Sequence, residues 1–173
     1  LHSDTHSFPT RRSSDLAAAS KNGKLNNPSV DTYGEINIDN GTLQIDNELW
    51  LGWYQNSGTF NINMTSGRVS ANDLVISYGD HTKSHFQFDG GIVDVNNLLI
   101  NGGRYTDGTM DMTGDATLVI EGDAVDTVEG FIKTGFLTSY GQEGTFHIDH
   151  NNNKTTVTVS GCPGSFFEGD LNN

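Results

Sequence analysis

Short alternations of apolar and polar residues recur along the middle of the chain at a spacing of 24 to 26 residues. The copies begin at Gly34, Gly58, Ser84 and Gly108, and the last one is contracted. Each full copy holds three alternating segments, separated by Gly, Asn, Asp and Ser. Because alternation places every second side chain on one face of a strand, each copy predicts three short strands joined by turns.

A repeat of this length is typical of solenoids, in which coils stack because no single coil can bury its own apolar residues. We therefore expect an all-β protein, a parallel β-helix of about four coils over residues 34–122, with residues 17–33 as its lead-in. An antiparallel sandwich of short strands is the alternative that alternation alone leaves open, but the regular repeat favours the solenoid. In the first three coils the residues expected to point inward are Ile36, Ile38, Leu43, Ile45, Leu49, Leu51, Phe60, Ile62, Val69, Ala71, Leu74, Ile76, Phe86, Phe88, Val93, Val95, Leu98 and Ile100.

A C-terminal cap is predicted over residues 123–160. Asp123 is placed to cap a short helix that Gly135 ends. Two alternating segments then flank a polar turn and predict a strand pair, which would cover the open end of the solenoid. The apolar face of the helix carries Val125, Val128, Phe131 and Ile132.

The first sixteen residues do not read as natural protein. Residues 1–16 resemble, in one reading frame, the translation of a short-read sequencing adapter that ends in a leucine codon. We interpret them as derived from laboratory DNA, with the natural sequence beginning at Ala17 and its own start lost. Arg11 and Arg12 are therefore not taken as a targeting or phosphate-binding signal.

Charge and composition narrow the classes of partner. The formal net charge is −13, and residues 1–16 hold equal numbers of acidic and basic side chains. Such an acidic chain repels nucleic acid, so no nucleic-acid partner is expected. No apolar run approaches the roughly 20 residues needed to cross a bilayer, so no membrane insertion is expected either. The single cysteine, Cys162, allows no internal disulfide.

The repeat resembles the passenger-type β-helix repeats of bacterial secreted and surface proteins, such as autotransporter-like passengers and exosortase-sorted surface proteins. The resemblance rests on Gly-Thr followed by alternating residues, a second Gly-led segment, and a Leu-rich third segment. Residues 118–123, 128–132 and 137–140 resemble the closing unit of such arrays. The resemblance implies a right-handed helix, an extracellular or cell-surface location, and a structural or adhesive role.

The C-terminus resembles the opening of a type I dockerin calcium loop. Residues 161–173 are interpreted as a linker followed by this truncated start. Asp170 and Asn172 match the first and third ligand positions, whose oxygens suit Ca²⁺. Because two such ligands cannot hold the ion, no cofactor is expected in this fragment, and Ca²⁺ is expected only if a complete dockerin follows. A plain polar tail is the alternative.

Aromatic residues follow the third strand of successive copies and form the candidate binding site. Stacked coils are expected to align them along one edge, where they could stack on sugar rings; the alternative is that they shield the end of the core. These residues are Trp53, Tyr54, Tyr78 and Tyr105, and Trp50, within the third strand of the first copy, is expected to project outward beside them.

Catalytic chemistry is not evident in the repeat. Arg68, Lys83 and Lys154 are dispersed along the chain, and no pair of carboxylates recurs beside a base. His147 and Asp149 share a strand face but lack a third metal ligand. We therefore expect a non-catalytic extracellular structural or adhesive module that contacts glycans or surface proteins. The alternatives are the C-terminal part of a carbohydrate-active β-helix enzyme, or a glycan-binding module that uses the aromatic ladder.

Overall fold

The structure is a computed structural model that describes residues 32–52 and 58–161. Ten strands, one α-helix and one 3₁₀ turn make up this part of the chain. Their bounds are β1 Thr32–Ile38, β2 Gly41–Gln44, β3 Glu48–Leu51, β4 Gly58–Met64, β5 Gly67–Ile76, β6 Thr82–Ile100, β7 Asp107–Glu121, α1 Val125–Thr134, β8 Leu137–Ser139, the 3₁₀ turn Tyr140–Gln142, β9 Thr145–Asn151 and β10 Lys154–Ser160.

The strands up to β7 stack in parallel, coil upon coil. We number the faces of the coil in chain order. On the first face, β1 pairs with β4, β4 with the start of β6, and the start of β6 with the start of β7. β2 lies on the second face and β3 on the third, and both pair with β5, which spans these two faces. β5 pairs in turn with the later part of β6. The chain thus winds as a right-handed parallel β-helix of about four turns, which confirms the predicted fold class. Parallel pairing also excludes the antiparallel sandwich.

The core is a column of apolar side chains inside the coils. Every residue predicted to point inward is either buried or packed against this core. Phe86 and Phe88 are fully buried, and their ring centroids lie 5.7 Å apart. Met110, Met112, Leu118 and Ile120 continue the column in the fourth coil.

The predicted register of the second coil is wrong by two residues on the first face. Gly34 lies opposite Phe60, and Gly58 lies opposite Thr32 on one side and Thr82 on the other. A slip of two leaves the inward and outward sets unchanged, because side chains alternate with a period of two. The predicted inward residues therefore remain inward, and Met64 joins them, fully buried.

One turn shows why glycine recurs between the faces. Gly67 has a φ of 99°, and a Cβ atom there would lie 2.2 Å from the carbonyl oxygen of Gly41 in the coil below. Only glycine combines this backbone conformation with so close an approach.

The cap is built from α1, β8 and the β9–β10 hairpin. α1 ends at Gly135, whose φ is 75°, and it buries Val128 against the core. β10 lies antiparallel to the end of β7, and β9 lies antiparallel to β10. The hairpin turns through Asn152 and Asn153, whose φ values of 52° and 58° are typical of a two-residue type I′ turn. The predicted helix and strand pair are thus confirmed.

The start of α1 differs from the prediction. Ala124 occupies the N-cap position, and no side chain caps the helix there. The Val125 amide donates to the carboxylate of Asp123, one residue before that position, but over a long 3.4 Å. The fully buried hydroxyl of Thr155 in β10 instead accepts a 2.9 Å hydrogen bond from the Ala124 amide. A tertiary contact, invisible in local sequence, therefore replaces the local cap.

Candidate functional site

The turn that follows the third face is held by stacked backbone bonds. Ser77 and Asn101 occupy equivalent positions with φ values of 61° and 60°. The Ser77 amide donates to the carbonyl of Leu51 over 2.7 Å, and the Asn101 amide donates to that of Ile76 over 2.9 Å. Each turn is thereby fixed on the turn of the previous coil.

Buried hydroxyls support the same turn from inside. The oxygens of Ser77 and Thr82 lie 2.9 Å apart, and the Thr82 hydroxyl donates to the carbonyl of Gly79 over 2.8 Å. Both side chains are fully buried. The rings that this turn carries therefore project from a rigid support.

Among the described residues, four rings line this side of the solenoid, and we call Trp50, Tyr78, His81 and Tyr105 the aromatic edge. The rings of Trp50 and Tyr78 meet edge to face, with centroids 5.0 Å apart. His81 and Tyr105 stack with centroids 5.1 Å apart and planes 7° from parallel. Tyr105 is 78% exposed, and Tyr78 is 37% exposed.

The predicted alignment of Tyr78 with Tyr105 is wrong. Tyr78 and Tyr105 are 27 positions apart, whereas β6 and β7 pair at a spacing of 24, as in Lys83 with Asp107. Tyr78 therefore lies over Gly102, where a Cβ atom would be 2.5 Å from its ring. Tyr105 falls opposite His81 and stacks on it. The structure thus forms two ring pairs along one edge; Trp53 and Tyr54 lie outside the described residues.

Outward polar side chains of successive coils bond to one another along the first face. The Asn63 amide donates to the Asn37 side-chain oxygen over 2.8 Å and to the Glu35 carboxylate over 3.2 Å. The hydroxyl of Tyr33 also donates to Glu35, and this bond, followed by one from Asn37, lowers the pKa of the Glu35 carboxyl.

The same pattern recurs at the turn between the second and third faces. The Asn96 amide donates to the side-chain oxygen of Asn72 over 3.2 Å, and the Asn72 amide donates to the carbonyl of Asp46 over 2.8 Å. Asn97 donates likewise to Asp73 over 2.6 Å. Much of the outer polar surface therefore holds the coils to each other.

Charged side chains that are far apart in the sequence form contacts in the fold. Asp94 contacts Arg68 from the coil below, and its carboxylate lies 3.9 Å from the ammonium of Lys154 in the cap. Lys154 also lies 3.6 Å from the Glu121 carboxylate. These residues are dispersed along the chain, and coil stacking together with the hairpin brings them together.

A shallow cleft on the first face was also missed. It has a volume of about 250 Å³ and includes Lys83, His85 and Asp107 in its lining. Lys83 lies directly opposite Asp107, and the imidazole of His85 contacts the Thr109 hydroxyl at 2.8 Å and Gln87 at 3.2 Å. The sequence does contain a signal for this cleft. Lys83 and Asp107 are 24 residues apart, which is a spacing of the repeat and places them opposite each other in adjacent coils.

Metal-binding groups are not gathered in the described part of the chain, where no three His, Cys, Asp or Glu side chains lie close enough to hold an ion. His147 contacts the Ser160 hydroxyl at 2.5 Å, and Asp149 lies on the same strand face. Asp170 and Asn172, the predicted calcium ligands, lie outside the described residues. Within the same residues, no helix has the length and apolar character to cross a membrane.

Comparison with known proteins adds no relative. No protein-family model, no curated protein and no solved structure matches this chain.

Proposed function

We propose that this chain is a non-catalytic structural or adhesive β-solenoid module of a bacterial surface or secreted protein. The observation that carries the proposal is the use of outward polar side chains as bonds between coils, as in Asn63 to Asn37 and Asn96 to Asn72. Groups that are engaged in this way stiffen the rod, and they are less available to act on a substrate. The sequence resemblance to passenger-type repeats supports the extracellular location.

The adhesive contact of this module is the aromatic edge, and its ligand class is glycan. Tyr105 presents most of its ring to solvent, on a turn that stacked backbone bonds hold in place. Pyranose rings have apolar faces that pack on aromatic rings, while their hydroxyls bond to nearby polar groups. Asp80 and Arg104, both exposed, supply such groups on the same turns.

The test is binding of the full chain to a panel of soluble polysaccharides by affinity electrophoresis. We expect Tyr105→Ala to weaken binding about tenfold, which corresponds to roughly 1.4 kcal/mol. Tyr33→Ala is the matched control, because Tyr33 is 65% exposed but lies on the first face. An affinity of Tyr105→Ala equal to that of the natural chain would contradict the assignment of the edge, and an equal loss in both variants would point to a diffuse contact.

The cleft on the first face favours a second candidate, part of a carbohydrate-active enzyme. Lys83 and Asp107 stand opposite each other in adjacent coils beside His85, which places a base and an acid on one surface. Release of reducing ends from the same polysaccharides, abolished by Lys83→Met and retained in Tyr105→Ala, would favour this candidate over the adhesive module.

A further inference from the structure

The last strand of the sheet leaves one edge without a strand partner among the described residues. β9 stands at the end of the strand order and pairs only with β10. Its seven residues pair continuously with β10, from Thr145 opposite Ser160 to Asn151 opposite Lys154, without a bulge. Proteins commonly protect such an edge with proline, a bulge or charged side chains, above all lysine; β9 has no proline, lysine or bulge, and its carboxylate is that of Asp149. The cap therefore covers the end of β7 and exposes a new edge of its own.

The sequence of β9 is complementary to itself when two copies run antiparallel about Ile148. In that register His147 of one copy lies opposite Asp149 of the other, twice, on the outer face. Both side chains are exposed, and an imidazole N–H is a suitable donor to a carboxylate. The same residues on both copies form the contact, as a two-fold symmetric interface requires.

The inner side of the strand is also compatible with this arrangement. Phe146 and Ile148 are half-buried and pack against the core, so part of each side chain remains accessible. In the two-fold register Ile148 meets its own copy, and Phe146 lies opposite His150. An apolar contact thus forms on the two-fold axis, beneath the polar pairs of the outer face.

We propose that β9 is a self-association edge, through which two copies of this chain join their sheets by antiparallel β9–β9 pairing centred on Ile148. Pairing adds roughly six to eight backbone hydrogen bonds between the copies. The buried area of one strand pair falls well below the roughly 1,200 Å² of a stable interface, so the dimer is weak. The net charge of −13 on each copy also opposes it, and salt screens that repulsion.

Disulfide trapping tests both the contact and its register. In a Cys162→Ser background, His147→Cys and Asp149→Cys are prepared as separate full-length chains and mixed with oxidised glutathione at about 0.15 M salt. Directly opposed Cβ atoms lie about 4.5–5.5 Å apart, whereas the like-with-like pairs are diagonal at about 7–8 Å. We expect the mixture to form the heterodimer at least threefold faster than either chain forms its homodimer. Asp126→Cys, exposed on α1, provides the control for random collision.

A charge exchange gives a second, independent readout. Sedimentation velocity at high protein concentration should show dimer for the natural chain, less for His147→Asp, which opposes two carboxylates, and recovery in the double variant His147→Asp/Asp149→His. Circular dichroism checks that each variant is folded. Cross-linking that is equal in all combinations, or a chain that stays monomeric at every concentration, would overturn the proposal and leave the edge open to a strand from another protein.

Discussion

At the scale of single residues, the column of inward side chains determines the stability of the rod. Phe86 is fully buried between the residues that pair with it, Ile62 in the coil below and Met110 in the coil above. A buried side chain of this size that loses its ring leaves a cavity, because the stacked coils cannot collapse inward independently. Such positions are expected to be the most sensitive to truncation among the described residues.

We expect Phe86→Ala to lower the free energy of unfolding by about 3–5 kcal/mol, from lost burial and the cavity left behind. Urea denaturation followed by circular dichroism measures the change. Ile92→Ala is the control, because Ile92 is 38% exposed on the outer surface of β6, and its loss should be under about 1 kcal/mol. Similar losses in the two variants would mean that the ring is not part of a close-packed core.

The position of a side chain can be predicted from the sequence when it depends on local strand geometry, and not when it depends on a contact with a distant residue. Alternation was sufficient to place Val69, Val93 and the other inward residues, since it depends only on strand geometry. It missed Ser84, a buried polar residue whose hydroxyl donates to the carbonyl of Leu51 over 3.0 Å. That bond joins positions 33 apart in sequence, and nothing near Ser84 indicates it. The stacking of His81 on Tyr105 was also missed, because it depends on the register between adjacent coils, which alternation does not give.

At the scale of elements, one hydroxyl links the parts of the cap to each other and to the end of the solenoid, beside the backbone pairing of β10 with β7. The Thr155 hydroxyl accepts from the Ala124 amide and donates to the carbonyl of Gly122, both over 2.9 Å. It therefore ties β10 to the start of α1. Lys154, next to it, adds ion pairs with Asp94 and Glu121, which are half-exposed and contribute less.

Thr155→Val tests this contact with little change in shape. Valine keeps the volume and the strand propensity but leaves the Ala124 amide without its acceptor, and we expect a loss of about 1–3 kcal/mol in the free energy of unfolding. Thr158→Val, half-buried on the other face of β10, should change it by less than about 0.5 kcal/mol. Thermal denaturation compares the two, and equal melting temperatures would show that the hydroxyl is dispensable.

At the scale of the whole molecule, stability should be highest in the middle of the stack. β6 has a coil on each side, whereas β1 and β9 each pair with one strand only among the described residues. In a solenoid, each coil is stabilised mainly by its neighbours, so the strands with one neighbour open most readily.

Hydrogen exchange at a few micromolar protein, where a weak dimer is dissociated, measures this gradient. We expect the amides of β6 around Phe86 and Val93 to exchange slowest and those of β1 and β9 to exchange fastest. Uniform protection from β1 to β9 would indicate that the coils unfold as one cooperative unit.

The direction of the hydrogen bonds between coils has a mechanical consequence. In a β-helix the strands run across the long axis, so the bonds that join the coils point along it. A tensile load between the ends then acts on all layers of bonds in series, so the weakest layer breaks first and coils detach one after another. Successive coils are spaced 26 and 24 residues apart, as in Gly34 to Phe60 and Phe60 to Ser84, so each would release roughly 80–90 Å of chain. A solenoid of this kind is expected to lengthen in steps under force, while the coils that remain folded keep their form.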